Sequence, residues 1–213
     1  MNKKLAEKIL EKINSLESRE TIFFDIKNLC ENELRIEAAK KAGKFKRLKA
    51  IEKIMANGKK ANVKYYSGTR TFLEQIIFDN NFWFITDLHC LYMLDNIDGL
   101  EKFECKKRKN QKYDGIKFVD CLGKIKECES LPYGGSFKLS YKDVLYKKSV
   151  SSLDIGGKCI ELENDIIVNA DYLINAFNIF QKNELEIYFY TNQLPMTIYN
   201  DNEIAIITPI RKH

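Results

Sequence analysis

Histidine is nearly absent from this chain, with only His89 and His213 present. The six cysteines, Cys30, Cys90, Cys105, Cys121, Cys128 and Cys159, include no C-x-x-C pair. Zinc sites draw clustered cysteine and histidine ligands from loops at short spacing. That pattern is missing, so neither metal nor other cofactor is expected. Disulfide frameworks belong chiefly to small secreted domains, and the cysteines here are read as reduced, structural thiols. The sequence also lacks a Walker loop, a G-x-G-x-x-G turn and an H-E-x-x-H helix. No apolar run approaches the ~18 residues of a membrane span. Charges interrupt the start, Met1-Asn2-Lys3-Lys4 followed by Leu5-Ala6-Glu7-Lys8-Ile9, before any signal-peptide core can form. A cytoplasmic protein with no membrane partner is expected.

Catalytic residue sets are equally sparse. Asp87, His89 and Cys90 are the one tempting constellation, because a Cys-His pair can support nucleophilic catalysis once a third group orients it. Neighbouring side chains on a strand point to opposite faces. His89 and Cys90 would therefore diverge, and the chain is read as non-enzymatic.

Of the 213 residues, 45% are hydrophobic and 31% charged, enough apolar content for a buried core. The net charge is only +5, but its distribution is uneven. Between Arg35 and Lys64 stand eleven basic residues against Glu37 and Glu52, which is +9 and leaves −4 for the rest.

In chain order, Leu5, Ile9, Ile13 and Leu16 fall at helical spacing in an amphipathic helix over residues 3–17. It can pack on its own domain or on a second copy. Thr21–Ile26 is rich in β-formers and can be strand or helix. Glu33–Lys41 favours helix, Gly43 interrupts, and a second helix runs from Lys44 to a stop at Asn57-Gly58. Its apolar side carries Leu48, Ile51 and Met55. Its other side carries Lys46, Lys49 and Lys53, with Lys60 extending the row. Such a face can be an ordinary solvated one. It has few acidic partners, however, and a lysine stripe also matches a phosphate backbone, where neutralisation releases condensed counterions.

Phe72–Asp79, Phe82–Thr86 and Cys90–Asp95 read as an antiparallel meander with turns at Asn80-Asn81 and Asp87-Leu88-His89. Glu101–Tyr113, containing Lys106-Lys107-Arg108-Lys109, reads as a loop or boundary segment that could also add to a nucleic-acid surface, and Leu131-Pro132-Tyr133-Gly134-Gly135 as a turn or linker. Ser140 can cap a helix over Tyr141–Lys148. A strand over Ile160–Val168 leads into a helix over Asn169–Gln181, with Asn169 as its cap, Asp171 in its first turn, and Leu173, Phe177 and Phe180 as its buried stripe. That helix carries no lysine row. Glu184–Thr191, Leu194–Asn200 and Ile204–Ile210 form a second meander.

Helix followed by meander thus occurs twice, with VNADYLINAFNIF, LEIYFY and IAIITPIRK in the second unit and FKRLKAIEKI and FWFITDLHCLYML in the first. These stretches resemble the bacterial DNA polymerase III β subunit, the sliding clamp, and the short clamp-like proteins of phages and prophages. Thr86, Asp87 and His89 match the family's T-D-G-[HY]-R turn, while Leu88 stands for its glycine and Cys90 for its arginine.

The resemblance implies an α+β, DNA-clamp-like domain of two helix-plus-antiparallel-meander halves. Residues 33–100 and 158–213 would be the halves, 101–157 the connection and 1–32 an N-terminal helical extension. It implies a DNA-replication accessory role, with double-stranded DNA contacted without sequence specificity through Lys40, Lys41, Lys44, Lys46, Arg47, Lys49 and Lys53. It also implies a surface for replication proteins or clamp-binding peptides at Ile206, Thr208, Pro209, Ile210 and Arg211. The alternative function is a protein-binding module that engages replication proteins without encircling DNA. Assembly from several copies is left open.

Overall fold

The structure is a computed structural model that describes residues 3–15, 18–79, 81–97, 106–107, 130, 133–153 and 159–210. The chain divides into two compact units, the first running to Phe45 and the second beginning at Lys46.

In the first unit α1 (Lys3–Ile13) lies against α2 (Arg19–Lys41), with Lys12 and Asp25 paired at 2.6 Å. Ser18 opens α2 by accepting from the Thr21 amide, which supplies a partner for one of the otherwise orphaned first-turn donors. Thr21–Ile26 is therefore helical, and α2 runs unbroken across the boundary expected at position 32. It stops where Gly43 takes φ +70, a left-handed conformation that glycine adopts without strain.

The second unit starts with α3 (Phe45–Tyr66), whose first residue belongs to the first unit. The helix does not stop at Asn57-Gly58. Gly58 is buried there because the chain returns close beside it, and an added Cβ would sit 2.1 Å from the Leu73 carbonyl oxygen. Asn62, also buried, accepts from the Arg70 amide at 2.8 Å and donates to Glu74 at 2.7 Å, pinning the end of α3 to the following 3-10 turn.

Then come β1 (Ile77–Asp79), β2 (Phe82–Thr86), β3 (Cys90–Leu94), β4 (Lys106–Lys107), β5 (Gly135–Ser140), α4 (Tyr141–Val150), β6 (Cys159–Glu161), β7 (Ile167–Asn169), α5 (Ala170–Phe180), β8 (Glu184–Phe189), β9 (Met196–Asn200) and β10 (Glu203–Ile207). Ser140 caps α4 and Asn169 caps α5, as expected. The strand expected over Ile160–Val168 is instead two short antiparallel strands, β6 and β7, separated by a 3-10 turn at Glu163–Asp165. Lys106 and Lys107, expected in a loop, pair in parallel with β1, and β5 is a further strand that the sequence reading did not anticipate.

Eight strands form one sheet in the order β4-β1-β2-β3-β10-β9-β8-β5. The two meanders are joined by the antiparallel pairing of β3 with β10, which sets Tyr92 opposite Ala205 and Leu91 opposite Ile206. One row crosses six strands, through Phe137, Ile187, Ile198, Ala205, Tyr92 and Ile85, and every member is buried. This row faces the helices, since the Tyr92 hydroxyl donates to the Tyr172 carbonyl of α5 and its ring meets Phe180 edge-on. On the opposite face Ile77, Phe84, Met93 and Ile206 form a second, smaller cluster.

Candidate nucleic-acid interface

Along α3 the helical period separates two faces. Arg47, Leu48, Ala50, Ile51, Ile54, Gly58 and Asn62 are buried, while Lys46, Lys49, Lys53, Lys59 and Lys60 are exposed. The lysine row therefore exists on the second unit's surface. Lys40, Lys41 and Lys44 belong to the first unit, where Lys40 lies over the Phe45 ring at 5.4 Å and the Lys44 amide donates to the Ala39 carbonyl.

Arg47 is not on that surface, a correction to its expected role in DNA contact. It is 8% exposed and its guanidinium faces Glu203 through two hydrogen bonds, of 3.0 and 2.5 Å. It also donates to the carbonyls of Ile179 and Asn96. The Ile179 carbonyl lies in the last turn of α5, where a helix has no internal donor left to offer. Arg47 thus closes that helix end and neutralises a buried acid. The signal was present in the period, since Arg47 stands four residues before Ile51 and seven before Ile54.

Two lysines of the row have acidic neighbours. Lys49 pairs with Glu52 at 2.7 Å and Lys53 with Asp171 at 2.9 Å. Asp171 also pairs with Lys148 of α4, so one carboxylate ties α3, α4 and the first turn of α5 together. Burial pushes the Asp171 carboxyl up, but the hydrogen bonds from Lys148 and Lys53 outweigh it and hold the carboxyl below its ordinary value. The lysine-poor α5 is itself mostly buried, flanked by α3 through the Arg47 and Lys53 contacts and by α4 through the Tyr141–Phe177 ring contact. Exposed lysines on α4, Lys142 and Lys147, were not among the expected contacts. For Lys147 the signal was the helix dipole, which favours basic residues in a last turn such as Lys147-Lys148, whereas Lys142 in the first turn has no such signal.

The expected partner run is split between burial and exposure. Ile206 belongs to the second apolar cluster and Pro209 is buried, whereas Thr208 is exposed and Ile210 half-buried. Arg211 lies outside the described residues. The Thr208 amide donates to the His89 carbonyl at 2.9 Å and the Ile210 amide to the Ile167 carbonyl at 2.7 Å. The run therefore sits beside the Asp87–His89 turn.

Leu88 adopts φ +83 in that turn, a left-handed conformation that glycine adopts without strain. Asp87 is buried, and its Oδ1 accepts from the His89 and Cys90 amides and from Cys90 Sγ, each at 3.1 Å. Burial and the adjacent Asp87 carboxylate push the Cys90 thiol well up, away from the thiolate a nucleophile needs. The His89 ring stacks on Tyr172 at 5.8 Å. Asp87 thus acts as the turn's hydrogen-bond acceptor. Among the described residues no group of three or more His, Cys, Asp or Glu could hold a metal ion, and no helix is long and apolar enough to cross a membrane.

No family model and no curated protein matches this chain. Among solved structures it is similar to the DNA polymerase sliding clamp from Bacillus subtilis, at 12% identity and TM-score 0.42, over 70% of this chain and 59% of that one. It is similar to the β subunit from DNA polymerase of Streptococcus pyogenes at 13% identity and TM-score 0.42, over 78% and 64%. Against the Helicobacter pylori β clamp bound to a DNA ligase peptide the identity is 14% and the TM-score 0.39, over 76% and 63%. The chain spans about three fifths of the length of each of these proteins.

Proposed function

We propose that this chain is a non-enzymatic, clamp-like DNA-replication accessory protein that contacts duplex backbone without sequence specificity. The observation that carries the reading is the exposed face of α3, where Lys46, Lys49, Lys53, Lys59 and Lys60 project over four turns, with Glu52 beside Lys49 and Asp171 beside Lys53. Lysine acts as a point charge toward phosphate and carries no base code. Arg47, Lys40, Lys41 and Lys44 are left out of the interface.

Lys46 and Lys60 are the informative positions, because Lys53 also holds Asp171 and its replacement would disturb three helices. Fluorescence anisotropy with two duplexes of unrelated sequence at low salt should show equal affinity for both. The Lys46→Glu/Lys60→Glu variant should bind at least about tenfold more weakly, by loss and reversal of two charges beside phosphates. An affinity unchanged by that variant would sink the reading.

A second reading, a module that takes clamp-binding peptides, is favoured by the contact of Thr208 with the His89 turn. Exposed Thr208 and half-buried Ile210 would then meet the peptide, with Ile206 kept in the core. A labelled clamp-binding peptide from a polymerase tests it. Binding that Thr208→Arg leaves untouched would remove this surface from consideration.

A further inference from the structure

Asp171 reaches the surface that carries the lysines and holds a lysine on each of two helices. Lys53 of α3 lies 2.9 Å from one carboxylate oxygen, and Lys148 of α4 is paired with the other. The side chains of Lys53, Asp171 and Lys148 are 44%, 37% and 29% exposed, so an anion in solvent reaches all three. Ion pairs this exposed are worth little and exchange partners readily.

The packing of the helices sets the arrangement. Arg47 and Lys53 of α3 meet Ile179 and Asp171 towards the two ends of α5, and Tyr141 and Lys148 of α4 meet Phe177 and Asp171. Asp171 is thus where the lysine row of α3 comes to α4. Asn169 caps α5 by accepting from the Asp171 amide, and an acid in a first turn suits the helix dipole. Cap and dipole account for an acid at this position, but not for lysines reaching it from two other helices. A phosphate that approaches either lysine meets the carboxylate well inside the ~8 Å Debye length of physiological salt. It must displace that carboxylate, and it is repelled by it.

We infer that Asp171 limits the affinity of the duplex-binding face, occupying Lys53 and Lys148 as a resident substitute for phosphate. Two contacts are thereby held in reserve, and Lys148 joins the face as a contact that opens only when Asp171 releases it. The inference rests on the duplex reading and adds the residue that sets how loosely the duplex is held. Fewer neutralised phosphates mean a shallower salt dependence and a weaker, sequence-independent hold along which a duplex can slide.

Asp171→Asn keeps the size of the side chain and an acceptor for the lysines while removing the charge. Anisotropy titrations of the full chain with a blunt duplex from roughly 50 to 200 mM salt should show this variant binding about tenfold or more tightly at the low end, with a log–log slope steeper by roughly 1 to 2, as one or two further phosphates are neutralised. Asp171→Ser, which also removes the charge, should change both in the same direction. Adding Lys148→Ala to Asp171→Asn should take back roughly 0.9 of the added slope, whereas Lys148→Ala alone should leave the wild-type slope unchanged. Helical circular dichroism should be unaltered throughout. An Asp171 that serves only to tie the helices would lower the thermal midpoint on replacement and add nothing to the slope. A wild type that binds duplex, with variants that bind no tighter or keep its slope, overturns the role given to Asp171 and leaves the duplex reading standing. Failure of wild type and variants alike to bind sinks the duplex reading, and this inference with it.

Discussion

Arg47 shows how a residue's chemistry can mislead when its charge is counted before its phase. In the sequence it is one of eleven cations in a basic stretch, and nothing in composition sets it apart. In the fold it lies on the buried stripe of α3 with Glu203, a residue 156 positions away. That partner was not legible, because the pairing exists only once β10 joins β3. The pair makes a sharp prediction. Arg47→Met leaves the Glu203 carboxylate buried without its cation and the Ile179 and Asn96 carbonyls without a donor. It should cost about 3–5 kcal/mol, the usual penalty for breaking one side of a buried pair. Arg47→Met/Glu203→Leu removes the stranded charge as well and should recover part of that loss. Urea titration of the three proteins decides it, and a double variant no better than the single would contradict the account.

Elements were read with uneven success, and the failures share a cause. The caps of α4 and α5 were legible because Ser140 and Asn169 act within three residues of themselves. The length of α3 was not. Asn57-Gly58 is a local stop signal, yet Gly58 sits mid-helix because the carbonyls of Leu73 and Thr86 pass where a side chain would stand. A glycine read as a stop is in fact a point of close approach. Two effects then compete in Gly58→Ala. Alanine favours the helix by about 1 kcal/mol, but its Cβ would meet backbone oxygens at 2.1 and 3.0 Å, neither of which can swing aside as a flexible side chain would. Overpacking of that kind costs about 1–3 kcal/mol or more. The clash wins, and the substitution should lower the thermal midpoint despite its better propensity. An unchanged or raised midpoint would mean that α3 and the segment at Leu73 can separate without cost.

At the scale of the whole molecule, two repeats of helix and meander were visible as hydrophobic period. Their fusion into one eight-stranded sheet was not, since Cys90–Met93 and Ile204–Ile207 carry no local mark of their pairing. The basic face was legible because charge, unlike register, is counted along the chain. Its functional reading makes a quantitative claim about salt. With Lys49 and Lys53 engaged by Glu52 and Asp171, contacts to about three to five phosphates are expected from the α3 face. The logarithm of affinity should then fall against the logarithm of salt with a slope of roughly −3 to −4.5, which is on the order of a hundredfold between 50 and 200 mM. Replacing Lys46 and Lys60 by alanine removes two of those contacts and should make the slope shallower by roughly 2. Anisotropy titrations across that range measure both slopes. If the variant weakens binding while its slope stays that of the wild type, these lysines do not neutralise phosphates, and α3 presents an ordinary solvated face.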